Sequence, residues 1–141
     1  MDPMEHEEAT IKAFVLREKQ ERFLTFIASA KNRRKFAREL PDFPWFDKKR
    51  STSVPWKVDP SLPLWGRHLQ GIEHVSRLLH SKGAGKTCWV ISDNPKIDGQ
   101  EINIEVALES VVGSDWGTIL SCIPGKLAYF NGEHESLLLT R

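Results

Sequence analysis

The sequence has few of the features that assign a chain to a specialised class of protein. It contains only two cysteines, Cys88 and Cys122, which are too few for a disulfide scaffold. It has no run of about 18 apolar residues, so we expect no membrane-spanning helix and no membrane partner. Its acidic first stretch, MDPMEHEEAT, lacks the apolar core of a secretory signal. These absences predict a soluble, cytoplasmic protein with free thiols.

Charge of one sign is not in excess either, because the formal net charge of the chain is only +1. A domain that coats nucleic acid is expected to be strongly basic, so this balance argues against that class. The length of 141 residues predicts a single domain over residues 1–141, which is large enough to build a core without disulfides or metals.

The distribution of glycine and proline divides the chain into three zones. Residues 5–40 contain neither, and their apolar residues recur at helical spacing, so we expect a helical element of one helix or two. Residues 41–69 contain five prolines and three tryptophans, which predicts an extended strap without regular structure. We expect this strap to be pinned to the core by its tryptophan side chains, which are Trp45, Trp56 and Trp65.

The third zone, residues 70–141, alternates helical and strand patterns. Helical spacing of apolar residues predicts helices at 72–82 and 104–112. Short apolar runs bounded by turns predict strands at 87–92, 117–123, 126–131 and 135–140. We expect the strands at 87–92 and 117–123 to be joined by a right-handed parallel crossover, and the others to be antiparallel. The predicted fold class is α+β, with a mixed sheet of about four strands packed with two helices.

The predicted strands carry apolar side chains on both faces. In the strand at 117–123, Ile119 and Ile123 point to one face, whereas Leu120 and Cys122 point to the other. A half-solvated strand would alternate apolar with polar residues, so the pattern predicts a sheet covered on both sides. The two helices of this zone can cover one face. We expect the N-terminal helical element to cover the other, with homodimerisation as the alternative.

Two motifs in this zone resemble functional sites and are better explained as structure. GAGKT, residues 83–87, ends like a phosphate-binding loop, but that loop needs a strand before it and a helix after it, and here the order is reversed. His68, His74 and His80 are spaced six residues apart, whereas metal-binding pairs on a helix are four apart. We therefore predict no metal site at these histidines and no cofactor.

The loop DNPKIDGQE, residues 93–101, is the best candidate for a small-ligand site. Asp93, Asp98 and Glu101 follow a predicted strand, where loops often bind ligands in sheet proteins. Their carboxylates are suited to hold a metal ion or to act in acid–base chemistry. Asn-Pro and Asp-Gly are also ordinary turn sequences, so a plain surface loop is the alternative.

A basic cluster is the strongest functional signal in the chain. Residues 31–50 carry eight basic and three acidic side chains, a local charge of +5. Such a patch attracts phosphate groups or an acidic protein, and a plain solvated helix face is the alternative. We expect the binding residues to be Arg33, Arg34, Lys35 and Arg38. Changing the two arginines to glutamate should then abolish binding and leave thermal stability nearly unchanged.

The stretches AKNRRKFAREL and GTILSCIPGKLAYFNGE, at 30–40 and 117–133, together resemble stretches in small bacterial proteins of unknown function. This resemblance implies a bacterial source and no particular activity, so it identifies no site residue.

No catalytic motif is specific enough to name a reaction, and the sequence leaves open whether the protein is an enzyme. The preferred hypothesis is a non-enzymatic binding or regulatory module, whose basic helix engages an acidic protein or nucleic acid. The alternative is a small-ligand or metal-binding enzyme that uses the acidic loop 93–101.

Overall fold

An antiparallel sheet with helices on both faces organises the fold. The computed structural model describes residues 3–55 and 58–141. Within these residues one six-stranded sheet has the strand order β1-β6-β5-β4-β2-β3. The strands are β1 (Ser51–Ser53), β2 (Thr87–Ser92), β3 (Glu101–Asn103), β4 (Thr118–Ile123), β5 (Leu127–Asn131) and β6 (Ser136–Thr140). The α+β class is confirmed, with two more strands than the sequence patterns predict.

Five α-helices occur in the described part of the chain. They are α1 (Pro3–Phe14), α2 (Arg17–Ile27), α3 (Arg33–Glu39), α4 (Leu64–Ser81) and α5 (Ile104–Val111). The GAGKT motif follows α4 and precedes β2, and Gly83 adopts a positive φ of 101° where α4 has ended. None of the helices in the described ranges combines the length and the hydrophobicity needed to cross a bilayer.

The N-terminal zone forms three helices rather than one or two. The break between α1 and α2 has a tertiary cause, because the backbone N–H of Leu16 donates to the carbonyl of Trp45 at 2.7 Å. The N–H of Asp47 donates in turn to the carbonyl of Phe14 at 2.7 Å. The segment after α3 thus forms hydrogen bonds with the N–H of Leu16 and the carbonyl of Phe14, which would be paired within the helix if α1 and α2 were continuous. Nothing in the local sequence at 14–16 signals this interruption.

The expected parallel crossover between β2 and β4 is wrong, because the two strands pair antiparallel, with Val90 opposite Leu120. The reason is an additional strand, β3, which pairs antiparallel with β2 and begins at Glu101, the last residue of the stretch predicted as a loop. This hairpin reverses the chain direction before α5 begins. Asn103 then caps α5, since its side-chain oxygen accepts from the N–H groups of Glu105 and Val106.

The strap of residues 41–69 is more regular than predicted. Its middle forms β1, which pairs with β6 at the edge of the sheet, and its end forms the first turns of α4. Trp45 is half-buried, with the Lys19 ammonium 4.2 Å from its ring centroid. Trp65 is exposed, so its predicted role as a pin is wrong. Trp56 lies outside the described residues.

Both faces of the sheet are covered, as predicted, and the N-terminal helices cover the second face. Ile119 packs in a cluster with α1, α2 and α3, whereas Leu120 packs with α4 and α5. An irregularity in the β4–β5 register near Ser121 and Ile123 moves Ile123 to the α4 and α5 side, contrary to the simple alternation. Full burial of one such aliphatic side chain stabilises the fold by about 1.5–3 kcal/mol. Both helical layers therefore contribute to stability, because each buries one face of the sheet.

We predict that Ile119→Ala and Leu120→Ala each lower the free energy of unfolding by about 2–5 kcal/mol, because each leaves a cavity under a different helical layer. The matched control is Thr52→Ala on the exposed edge strand β1, which should change it by less than about 0.5 kcal/mol. Guanidinium denaturation followed by circular dichroism measures all three. A large loss in only one of the two core variants would contradict the two-layer packing.

Candidate functional site

The basic helix and the acidic loop, which the sequence presents as rival sites, meet in one hydrogen-bonded network. Arg33 and Arg34 begin α3, and Asp98 lies in the loop between β2 and β3. One Asp98 carboxylate oxygen accepts hydrogen bonds from the Nη1 atoms of both arginines. The other accepts from the backbone N–H of Ser92 at 2.9 Å. With its side chain only 3% exposed, Asp98 joins α3 to the end of β2.

Glu7 of α1 forms the other half of this network. Its carboxylate accepts from Nε of Arg33 at 2.9 and 3.0 Å, and its Oε2 also accepts from the indole Nε1 of Trp89 at 2.9 Å. Burial alone would lower the pKa of Arg33, but the hydrogen bonds and charges of Glu7 and Asp98 outweigh it and raise that pKa. Arg33 is therefore a permanent cation between two buried carboxylates.

Arg34 completes the connection through backbone carbonyls. Its Nη1 donates to the carbonyl of Ser92 at 2.8 Å, and its Nη2 donates to the carbonyl of Asp93 at 3.0 Å. The two arginines and the carboxylates of Glu7 and Asp98 balance in charge. We call these four residues the arginine network. Its geometry gives Arg33 and Arg34 partners inside the molecule, which the sequence-based proposal of a free basic patch did not anticipate.

The other predicted site residues lie outside the arginine network. Lys35 and Arg38 are exposed on α3, and neither forms an ion pair with a residue that the structure describes. Glu101 is exposed on β3, where it accepts from Oγ1 of Thr87 at 3.2 Å. Across residues 3–55 and 58–141, no group of three His, Cys, Asp or Glu side chains is placed to hold a metal ion.

Sequence reasoning missed the part that α1 plays. Besides Glu7, the buried His6 bonds through Nδ1 to Oγ of Ser121 at 2.7 Å and stacks on Trp89 with ring centroids 6.2 Å apart. The signal was present, because Glu7 lies four residues before Ile11 and so on the apolar face of the predicted helix. A carboxylate on a buried helical face needs a basic partner, and its partner had to come from elsewhere in the chain.

The two cysteines are unsuited to nucleophilic chemistry. Both are free thiols, and Cys88 is buried. Burial raises the pKa of Cys122 to about 12, and it also raises the pKa of Cys88. Both groups stay protonated near neutral pH, and a protonated thiol is a poor nucleophile.

A different surface stands out once the fold is known. Leu64 is 80% exposed, Trp65 71% and Leu69 48%. They lie in the first two turns of α4, whereas the buried residues of this helix begin at Gly71. These three side chains therefore precede the buried part of the helix and are not covered by the core. We call Leu64, Trp65 and Leu69 the α4 surface.

We predict that Asp98→Asn lowers the free energy of unfolding by about 3 kcal/mol, because Arg34 loses its carboxylate partner and Glu7 alone is left to balance two part-buried guanidinium groups. Lys35→Gln is the control, since it removes a charge from the exposed face of the same helix, and it should cost less than about 0.5 kcal/mol. Chemical denaturation at constant pH gives both values. Similar small losses of unfolding free energy in both variants would show that the network does not stabilise the fold.

The same geometry predicts that changing Arg33 and Arg34 to glutamate destabilises the fold, contrary to the sequence-based expectation of nearly unchanged thermal stability.

A second prediction concerns pH. Burial lowers the pKa of His6 below its ordinary value of 6.5, against the opposing effect of nearby glutamates. Protonation of His6 therefore favours the unfolded chain. The contribution of neutral His6 to stability is complete at pH values above its ordinary pKa of 6.5 and is lost as the pH falls below that value. The free energy of unfolding should fall more between about pH 7.5 and about pH 5.5 in the wild type than in His6→Gln. An equal fall in the two proteins would exclude His6 as the titrating group.

No protein-family model, curated protein or solved structure matches this chain.

Proposed function

We propose that this protein is a non-enzymatic binding module that engages a protein partner through the α4 surface. The observation that carries the proposal is the exposure of Trp65 next to Leu64 and Leu69. Tryptophan is enriched among the residues that dominate binding energy at interfaces, and clustered exposed apolar side chains mark interaction sites. Burial of the exposed part of Trp65 alone would contribute about 3 kcal/mol.

The way α4 is anchored supports this role. Its later turns are fixed to the core by Ile72, Val75 and Leu79, which are buried. The exposed turns continue the same helix, so their backbone is held by the anchored part. A partner would then meet apolar side chains on an ordered scaffold, and the conformational entropy lost by ordering this backbone on association would be small.

The basic face of α3 is a second candidate surface. It is favoured by the exposure of Lys35 and Arg38 and by the lack of an ion pair for either within the described residues. Such a face suits an acidic protein or nucleic acid. The enzyme hypothesis is less favoured, because a ligand or metal at Asp98 would have to displace Arg33 and Arg34.

The proposal is tested by placing a photoreactive amino acid at position 65 and, as a matched control, at the exposed Arg77 further along α4. We expect a discrete crosslinked product at position 65 in cells of the source organism, and none at position 77. Leu64→Glu with Leu69→Glu should remove it. A product of twice the protomer mass would identify a second copy as the partner.

Absence of a product, or equal products at both positions, would overturn binding through the α4 surface. If the crosslink instead persists in the double glutamate variant but disappears in Lys35→Glu with Arg38→Glu, the basic face of α3 is the binding surface.

A further inference from the structure

A groove opens between the edge strand β1, the loop after α5 and the turn between β5 and β6. Its volume is about 360 Å³, and its lining includes Val54, Val112, Trp116, Asn131, Glu133 and Glu135. A cavity of this size falls within the range of small-ligand sites. Neither Lys nor Arg occurs among the described residues that line it.

Asn131 gives this groove an unsatisfied acceptor. The residue is only 4% exposed, and its Nδ2 donates to the carbonyls of Val111 at 2.7 Å and Asp115 at 3.3 Å. These two acceptors fix the orientation of the amide. Its Oδ1 accepts no hydrogen bond from any residue that the structure describes. Oε2 of Glu39 is the described side-chain oxygen that is fully buried and has no partner, so Oδ1 of Asn131 is not sealed from solvent in this way. Asn131 lines the groove.

The remaining walls favour a positive charge. Trp116 is 47% exposed and lines the groove. The turn that closes the groove carries Glu133 and Glu135, and the Glu133 carboxylate lies 3.8 Å from Nε2 of His134. An indole face attracts cations, and carboxylates form strong hydrogen bonds with ammonium and guanidinium groups.

We propose that this groove binds an organic cation with N–H donors, an alkylammonium or a guanidinium. One N–H donates to Oδ1 of Asn131, the cation packs against Trp116, and Glu133 and Glu135 neutralise its charge. The source of the cation is a free small molecule or a Lys or Arg side chain of a partner. This site is distinct from the α4 surface and does not depend on the proposed function.

The test is a titration of the ¹⁵N-labelled protein followed by nuclear magnetic resonance, with the indole N–H of Trp116 and the side-chain amide of Asn131 as reporters. The probes are Nα-acetylarginine amide and the capped peptide Gly-Arg-Gly, each compared with its citrulline analogue, in which a neutral urea of the same shape replaces the guanidinium. We expect saturable shifts for the arginine probes and at least tenfold weaker binding of the citrulline ones. Equal affinities of amide and peptide support a free cation, and tighter binding of the peptide supports a side chain.

Variants locate the site and exclude an effect on folding. Trp116→Leu and the pair Glu133→Gln with Glu135→Gln should each weaken arginine binding at least tenfold, whereas Glu109→Gln, an exposed carboxylate outside the groove, should not. Unchanged backbone spectra show that each variant is folded. Equal binding of citrulline and arginine, or no saturable shift at Trp116 and Asn131 with any probe, would overturn the proposal.

Discussion

Two arginines at the start of α3 hold together parts of the chain that are far apart in sequence. Arg33 contacts Glu7 of α1, and both arginines contact Asp98 in the loop between β2 and β3. The arginine network thereby sets how the N-terminal helices lie on the sheet. Replacing such a network by apolar residues is often neutral, whereas removing one member leaves a desolvated charge. We therefore infer that the network serves mainly to specify one arrangement of α1, α3 and the loop.

The covering of both sheet faces determines where the protein can bind other molecules. Helices α1, α2 and α3 occupy one face, and α4 and α5 occupy the other. Partners and ligands are then left with the perimeter of the sheet and the outer surfaces of the helices. The α4 surface lies on the outside of a helix, and the groove beside Trp116 lies next to the edge strand β1. The groove adjoins α4, because Gly113, which lines the groove, lies so close to His68 of α4 that a Cβ atom at position 113 would be 3.7 Å from the imidazole.

Much of the fold was readable because its signals are local. The strand at 87–92 and the helix that starts at Ile104 were predicted from periodicity and flanking turns. Strands that are apolar on both sides predicted a sheet with two covered faces. The errors share a cause. The strand β3 has only three residues, Glu101–Asn103, and it exists because it pairs with β2. The end of α1 depends in the same way on backbone groups of residues 45 and 47.

The sequence by itself determined the fold class, the two-sided sheet and the positions of most helices and strands, because burial patterns and turn residues act over a few residues. Only the tertiary structure decided the direction of β4 and the roles of the charged groups. Arg33 and Asp98 are 65 residues apart, and each alone is typical of a solvated surface. Together in a desolvated place they neutralise each other, and no local pattern records that pairing. The exposure of Trp65 is likewise a tertiary outcome, because whether an aromatic side chain pins a segment depends on where the core ends.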